Sequence, residues 1–164
     1  TANSFNVDIK EVVRKGGILL PAEYRSERLS IESNIMPKGW RLLKLTDIVE
    51  EVNNRAGINC ELPVLSVTKY DGFVESLKYF KKQVFSRDTS TYKVVRRGEF
   101  AYSAIHLDEG AVAFLDNLDA GVISPMYKVF RLRDDSRQVD PNFFLQLLKS
   151  EPLIERYQIL ERAR

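Results

Sequence analysis

Eight lysine and arginine residues lie between positions 69 and 97, where only three acidic residues accompany them. Residues 98–127, in contrast, contain five acids and no lysine or arginine. A protein that lies on a phosphate backbone needs concentrated positive charge, because neutralised phosphates release counterions. Tyrosine, phenylalanine, serine and threonine are interleaved in the basic segment, and such side chains can contact phosphates, sugars and base edges. The same pattern also fits a solvated charged hairpin whose aromatic residues face the core, and both interpretations stay open.

These residue types predict DNA contacts in two places, on a basic hairpin and on the loop that follows the strand around Phe100. Arginine pairs with guanine, and serine or histidine can contact either kind of base edge. Lys81 and Lys82 are expected to contact phosphate. An exposed loop residue without a function is the alternative for His106. The predicted contacts are Lys69, Tyr70, Lys78, Lys81, Lys82, Arg87, Ser103 and His106.

Patterns for catalysis and metal binding are weak. One histidine and one cysteine are too few for a structural zinc site, which needs four ligands. The sequence has no glycine-rich phosphate loop, no dinucleotide fingerprint and no nucleophile elbow. Ser103, His106 and Asp108 have the residue types of a catalytic triad, but residues this close in sequence rarely adopt its geometry. We therefore expect no catalytic residue, no metal and no cofactor in this chain.

The totals fit one folded domain. The chain has 164 residues, 44% of them hydrophobic and 29% charged, and its net charge of +2 does not by itself indicate a nucleic-acid partner. The lone Cys60 excludes an internal disulfide and suits a reducing compartment. No apolar run could span a bilayer and no secretory signal pattern is present, so we expect a cytoplasmic location. From its two ends we expect a fragment of a longer protein.

The pattern of the first fifty residues predicts helices. The apolar spacing of residues 5–13 predicts a helix, and a second short helix is expected over residues 22–33. A break at residues 36–39 suggests that the main domain starts there. Thr46 is a suitable N-cap for a predicted helix over residues 47–52.

Turn signals and β-rich runs predict strands through the centre of the chain. Asp71-Gly72 is a hairpin-type turn signal, and Pro125 argues for an edge or a bulge. A single helical turn is expected just before Tyr92. The predicted strands cover residues 63–68, 82–86, 93–96, 100–103, 111–115 and 122–132, the last interrupted at Ser124-Pro125.

Helical spacing returns after residue 140, with Phe144, Leu147 and Leu148 on one face. Pro152 is expected to separate this helix from a second, charged helix at the end of the chain. A helical arm, a β-rich centre and a helical exit predict an α+β fold and not an alternating α/β fold.

Residues 92–103, which read Tyr-Lys-Val-Val-Arg-Arg-Gly-Glu-Phe-Ala-Tyr-Ser, resemble the core of the specificity subunits of type I restriction-modification systems. Residues 110–113 and 121–130 follow at a fitting distance, and Ser-Pro-Met-Tyr-Lys-Val-Phe at 124–130 is the most specific match. Residues 39–48 resemble the opening of such a target-recognition domain. Residues 63–67 with Asp71-Gly72 are similar to its first strand pair, and residues 140–150 to its exit helix. The resemblance covers about residues 39–157.

The resemblance implies a mixed, twisted, partly barrel-like sheet with short helices, whose loops enter the major groove. It also implies an arm at residues 1–38, a DNA target-recognition domain at 39–150 and the start of a connecting helix at 151–164. Family members carry two such domains, whereas this chain carries one. Residues 6–33 resemble segments that precede recognition domains fused to a methyltransferase, so a separate subunit and a single-chain enzyme both remain open.

The family motif residues are expected to be structural. The glycines would permit turns, Ser124-Pro125 would form a bulge, and three aromatic residues would fill the core. The glycines are Gly98, Gly110 and Gly121, and the aromatic residues are Phe100, Tyr127 and Phe130.

The expected function is sequence-specific recognition of double-stranded DNA without catalysis. Adenine methyltransferase subunits are the expected protein partners, with a restriction or translocase subunit as a further candidate. S-adenosylmethionine, ATP and magnesium would belong to those partners. One alternative is a protein-interaction or scaffold fragment whose terminal helices dock a partner. A nuclease that uses Glu75 and Glu99 to hold magnesium ranks third, because surface charges explain these residues better.

Overall fold

A computed structural model describes residues 11–13, 19–20, 42–43, 45–103, 105–136 and 139–162. The chain divides into two compact units, one formed by residues 1–49 and 133–164 and the other by residues 50–132. The helix expected over residues 22–33 lies outside the described residues. The domain boundaries expected after residues 38 and 150 stay predictions.

The strands in chain order are β1 (Glu11–Val13), β2 (Leu19–Leu20), β3 (Leu42–Leu43), β4 (Val49–Val52), β5 (Leu65–Thr68), β6 (Gly72–Glu75), β7 (Lys93–Arg96), β8 (Glu99–Ser103), β9 (Val112–Phe114), β10 (Ala120–Ile123) and β11 (Tyr127–Leu132). The helices are α1 (Leu45–Ile48), α2 (Ser76–Phe80), α3 (Pro141–Leu148) and α4 (Glu151–Arg162). Short 3₁₀ turns cover Leu107–Glu109 and Asp134–Ser136. The predicted α+β class is confirmed.

The unit of residues 50–132 is built from antiparallel strand pairs. One four-stranded sheet has the order β4-β11-β8-β9, and β10-β7 and β5-β6 form two-stranded sheets. A parallel bridge between Val64 and Val122 joins the β5-β6 hairpin to β10. In the described part of the chain these sheets do not close into a barrel, so the barrel-like form implied by the resemblance is corrected.

Three phenylalanines in register across β11, β8 and β9 lie at the centre of the four-stranded sheet. Phe100 pairs with Phe130 on one side and with Phe114 on the other. Its ring centroid lies 5.1 Å from that of Phe130 and 4.6 Å from that of Phe114. Phe100 is fully buried. Cross-strand aromatic pairs stabilise a sheet beyond the area they bury, so these rings help to set its register.

A hydrophobic core joins the hairpin to the other strands. Leu65 and Phe73 of the hairpin share one buried cluster with Val95, Ile123 and Val129. Gly121 permits this packing, because a Cβ at that position would overlap the Cδ1 and Cγ atoms of Leu65. The expectation that Gly121 permits a turn is therefore wrong, since this glycine lies within β10 and provides space for a neighbouring side chain.

The other expected roles of the motif residues are mostly confirmed. Gly98 and Gly110 have positive φ angles of 87° and 80° in tight turns, a conformation that favours glycine. Phe130 is buried, and Tyr127 packs partly buried against the core. Ser124 and Pro125 form a turn in which Tyr127 N donates to Ser124 O, and not a bulge.

Several predicted elements are wrong within the described residues. Glu11–Val13 is a strand paired with β2 and β3, although a helical arm was expected. The helix expected over residues 47–52 is the single turn α1 followed by strand β4. In both places β-branched valines join a sheet, because strand pairing outweighs weak helical spacing. Residues 82–86 form no strand, and the segment before Tyr92 is a hydrogen-bonded turn and not a helical turn.

The predicted hairpin at Asp71-Gly72, the strands β7 to β11 and the two C-terminal helices are present in the structure, which confirms those predictions. Asp140 caps α3, because its Oδ1 accepts a hydrogen bond of 2.7 Å from Phe143 N, and Pro141 follows the cap. Pro152 lies in the first turn of α4, where proline does not interrupt the helix. None of the described helices is long and apolar enough to cross a membrane.

We expect Gly121→Ala to destabilise the protein, by about 1–3 kcal/mol, because the added methyl overlaps the buried Leu65 side chain and closely approaches the backbone oxygen of Pro63. Urea denaturation would measure the loss. A double-mutant cycle with Leu65→Ala provides the control, since the Gly121 substitution should cost less once the leucine side chain is gone. Additive effects of the two substitutions would contradict this explanation.

Glu99 is a buried carboxylate whose charge costs stability. Its Oε2 accepts a hydrogen bond of 2.8 Å from Arg96 N, and the residue is 6% exposed. Burial raises the pKa of Glu99, against the lowering effects of this hydrogen bond and of the Arg131 and Arg96 charges. The unfolded chain therefore loses this proton at lower pH than the folded chain. The stability contributed by the neutral form is lost as pH rises through the raised pKa.

Glu99→Gln keeps an acceptor for Arg96 N and removes the buried charge. We expect the variant to have a higher urea midpoint than the wild type at pH 7. The difference should shrink as pH falls through the raised pKa of Glu99, because the wild-type carboxyl then also becomes neutral in the folded protein. A lower midpoint for the variant at pH 7 would show instead that attraction to Arg131 outweighs burial.

Candidate nucleic-acid interface

Residues 77–84, which we call the basic loop, are held at both ends by buried contacts. At the first end, Ser76 is fully buried, its backbone N donates to Val64 O at 2.9 Å, and its hydroxyl lies 2.8 Å from that of Ser66. At the second end, Phe85 packs against the cluster that contains Tyr92. The loop therefore projects from two anchored positions on the same unit.

All eight residues of the basic loop are exposed. Three of them are lysines and none is acidic. Its apolar side chains are also open to solvent, since Leu77 is 57%, Tyr79 46%, Phe80 37% and Val84 47% exposed. Helix α2 ends where Lys81 adopts a left-handed conformation with φ 53°, and the chain turns there. The loop thus presents cations and apolar groups together.

The turn between β5 and β6 lies against this loop. Tyr79 Oη donates a hydrogen bond of 2.8 Å to Asp71 Oδ2, and the pKa of Tyr79 is raised by this bond and by the Asp71 charge. Tyr70 at the turn is 83% exposed, and Lys69 Nζ lies 5.4 Å from the centroid of its ring. The hydrogen bond joins Lys69 and Tyr70 to the basic loop as one surface, which we call the basic surface.

The predicted DNA-contacting cations differ in whether they form an ion pair within the protein. Lys78 pairs with Glu75 at 2.7 Å, which partly offsets its charge. Lys69, Lys81, Lys82 and Arg87 are exposed and form no ion pair with any described residue. They can therefore neutralise phosphate without first giving up a carboxylate.

Arg87 lies in a segment that is fixed on both sides. Ser86 N donates to Tyr92 Oη at 3.1 Å, and Asp88 Oδ1 accepts from Ser90 N at 2.9 Å. Hydrogen bonds from Ser90 lower the pKa of Asp88. A guanidinium on a backbone held this way is well placed for directional hydrogen bonds.

The two residues that were predicted as DNA contacts on the loop after β8 differ in their exposure to solvent. Ser103 is only 6% exposed, so its hydroxyl is not presented to a ligand in this conformation. His106 is exposed, and its Nδ1 lies 3.3 Å from Glu109 Oε1. Asp108 and Glu109 follow it, and residues 105–110 contain no lysine or arginine. This loop is therefore less suited to phosphate than the basic surface.

Leu77, Phe80 and Val84 share the basic surface with the lysines but were not predicted as contacts. The available signal was their spacing at i, i+3 and i+7, which is typical of one helix face, in a segment with three lysines and no acid.

The carboxylates considered for a nuclease site have structural partners. Glu75 pairs with Lys78, and Glu99 is buried at the turn after β7. Among the described residues no group of three or more His, Cys, Asp and Glu side chains could hold a metal ion.

Comparisons with known proteins found no matching family model, no matching curated protein and no matching solved structure.

We expect Tyr79→Phe to loosen the contact between the hairpin turn and α2, because it removes the hydrogen bond to Asp71 and keeps the ring. Amide hydrogen exchange should become faster at residues 69–72 and 77–82 and stay unchanged in β8. Tyr70→Phe is the matched control, since the structure gives the Tyr70 hydroxyl no comparable bond. Unchanged exchange at residues 69–72 would mean that the turn holds its place without this bond.

Proposed function

We propose that this chain recognises a sequence in double-stranded DNA through the basic surface. The observation that carries the proposal is the anchored basic loop, which exposes three lysines, four apolar side chains and no acid. The hairpin turn with Lys69 and Tyr70 is hydrogen-bonded beside it through Tyr79.

Each kind of side chain on this surface has a counterpart in duplex DNA. Lys81 and Lys82 suit phosphates, whose neutralisation releases counterions. Arg87, three residues after the basic loop, can pair with the O6 and N7 atoms of guanine, and the apolar side chains of the loop can contact the methyl group of thymine. Because the loop is held at both ends, binding requires less ordering of the chain than a free loop would.

The resemblance to type I specificity subunits supplies the proposed context. It is supported by the structural roles of several motif residues, since Gly98 and Gly110 occupy left-handed turns and Phe100 and Phe130 lie in the core. We propose that the chain directs adenine methyltransferase subunits to their site in the cytoplasm. Methylation, cleavage and their cofactors, S-adenosylmethionine, ATP and magnesium, then belong to those partners.

A protein-interaction module is the second candidate. The exposed Leu77 and Val84 favour it, because apolar side chains grouped in this way are typical of docking surfaces. The surrounding lysines would then select an acidic partner.

Fluorescence anisotropy with labelled random duplexes at two salt concentrations tests the proposal. DNA binding should weaken steeply as salt rises, and selection from a random duplex pool should enrich one short sequence. Binding without enrichment would leave a non-specific DNA-binding protein. No salt-dependent binding would overturn the DNA proposal and favour the interaction module.

We expect the double variant Lys81→Gln/Lys82→Gln to bind DNA more weakly and with less dependence on salt. If each lysine neutralises one phosphate, the slope of log K against log salt should fall by roughly 0.9 per lysine. The matched control is Arg97→Gln/Arg131→Gln, which removes the same charge. Arg97, which follows β7, pairs with Asp119, and Arg131 of β11 pairs with Glu50. Equal losses in both variants would show that only net charge matters.

A further inference from the structure

Lys93 is a buried lysine whose hydrogen-bonding capacity is only partly used. The residue is 4% exposed and begins β7. Its Nζ donates a hydrogen bond of 2.7 Å to Tyr127 O. An ammonium group has three donors, and among the described residues Lys93 has no other hydrogen-bond acceptor and no ion-pair partner. Such a buried cation favours a neighbouring anion.

Two further cations accompany Lys93, the exposed Arg55 and the half-buried Lys128. Arg55 lies opposite Lys93 in an antiparallel bridge, and its Nη1 donates to Thr91 O at 2.6 Å. Lys128 lies on the neighbouring β11, and its Nζ is 3.4 Å from Glu51 Oε1. Burial lowers the pKa of Lys93, the charges of Lys128 and Arg55 lower it further, and Glu51 opposes them. Three cations therefore share one carboxylate, which leaves this cluster short of negative charge.

The cluster adjoins the segment that carries Arg87. Thr91, which accepts from Arg55, precedes Tyr92, and the Tyr92 hydroxyl accepts from Ser86 N. Ala56 N also donates to Tyr92 O at 2.8 Å. A short chain of hydrogen bonds thus connects Arg55 with the backbone beside Arg87.

We propose that Arg55 and Lys128 bind a backbone phosphate of the recognised duplex, with the Lys93 ammonium supplying charge beneath them. A guanidinium fits phosphate oxygens with two parallel hydrogen bonds, and Arg55 uses only one donor within the described structure. A phosphodiester carries one negative charge, which would offset part of the excess of these three cations over Glu51. The inference rests on the proposed DNA recognition and extends its contact area to a second phosphate site.

Anisotropy titrations with duplex DNA over a range of salt concentrations test this site in the full chain. Arg55→Gln and Lys128→Gln should each lower the slope of log K against log salt, and the double variant should lower it by roughly 0.9, the value expected for one lost phosphate contact. Arg131→Gln, on the same strand as Lys128 and paired with Glu50, is the matched control and should leave the slope unchanged. Urea denaturation checks that each variant folds. If loss of the hydrogen bond to Thr91 O unfolds Arg55→Gln, the test rests on Lys128→Gln alone.

The outcomes separate this site from the proposed function. If the wild type binds DNA and both variants keep its slope, the phosphate site is wrong and DNA recognition stands. If the wild type shows no salt-dependent binding, the proposed function itself fails. Titration with inorganic phosphate, monitored by the amide NMR shifts of Lys93 and Lys128, tests whether the site binds free phosphate instead of a DNA phosphate. Saturable shifts together with unchanged DNA slopes would identify a site for free phosphate and overturn the proposal.

Discussion

The contact between Leu65 and Gly121 determines where the basic surface lies. Leu65 is buried in a space that exists only because position 121 has no side chain. This contact, the bridge from Val64 to Val122 and the bond from Val122 N to Pro63 O fix the hairpin against β10. Because Val64 O also accepts from Ser76 N, the start of the basic loop is fixed by the same segment. A glycine outside the basic surface thus helps to position its lysines.

Two lysines of the basic loop keep their charge free of acidic partners in the folded chain. Two of the five acids in residues 98–127 are engaged elsewhere, since Glu99 is buried and Asp119 pairs with Arg97. The lysines at 81 and 82 have no ion-pair partner in the described structure. Positive charge that is not neutralised by a neighbouring acid is what steering toward a polyanion requires.

Local signals were sufficient for the elements whose residues specify their own geometry. Asp71-Gly72 predicted the hairpin turn, Gly98 predicted the turn between β7 and β8, and Asp140-Pro141 predicted the start of α3. The sequence could not predict that Ser103 is buried or that the chain changes from helix to strand at Val49, because both depend on pairing with distant strands. The Arg55, Lys93 and Lys128 cluster was missed for the same reason, since its members are distant in sequence and only β-pairing brings them together.

The exposed aromatic residues bear on the choice between a solvated hairpin and a binding surface. In a purely structural hairpin the aromatic side chains would face the core, and Tyr92 and Phe85 do so. Tyr70, Tyr79 and Phe80 do not, and exposed apolar groups gain free energy only when a partner covers them. Lysines on both sides of Tyr79 and Phe80 disfavour a cationic or purely apolar partner. An anionic partner that also offers apolar groups satisfies both requirements, and the phosphates and thymine methyl groups of duplex DNA combine them in one molecule.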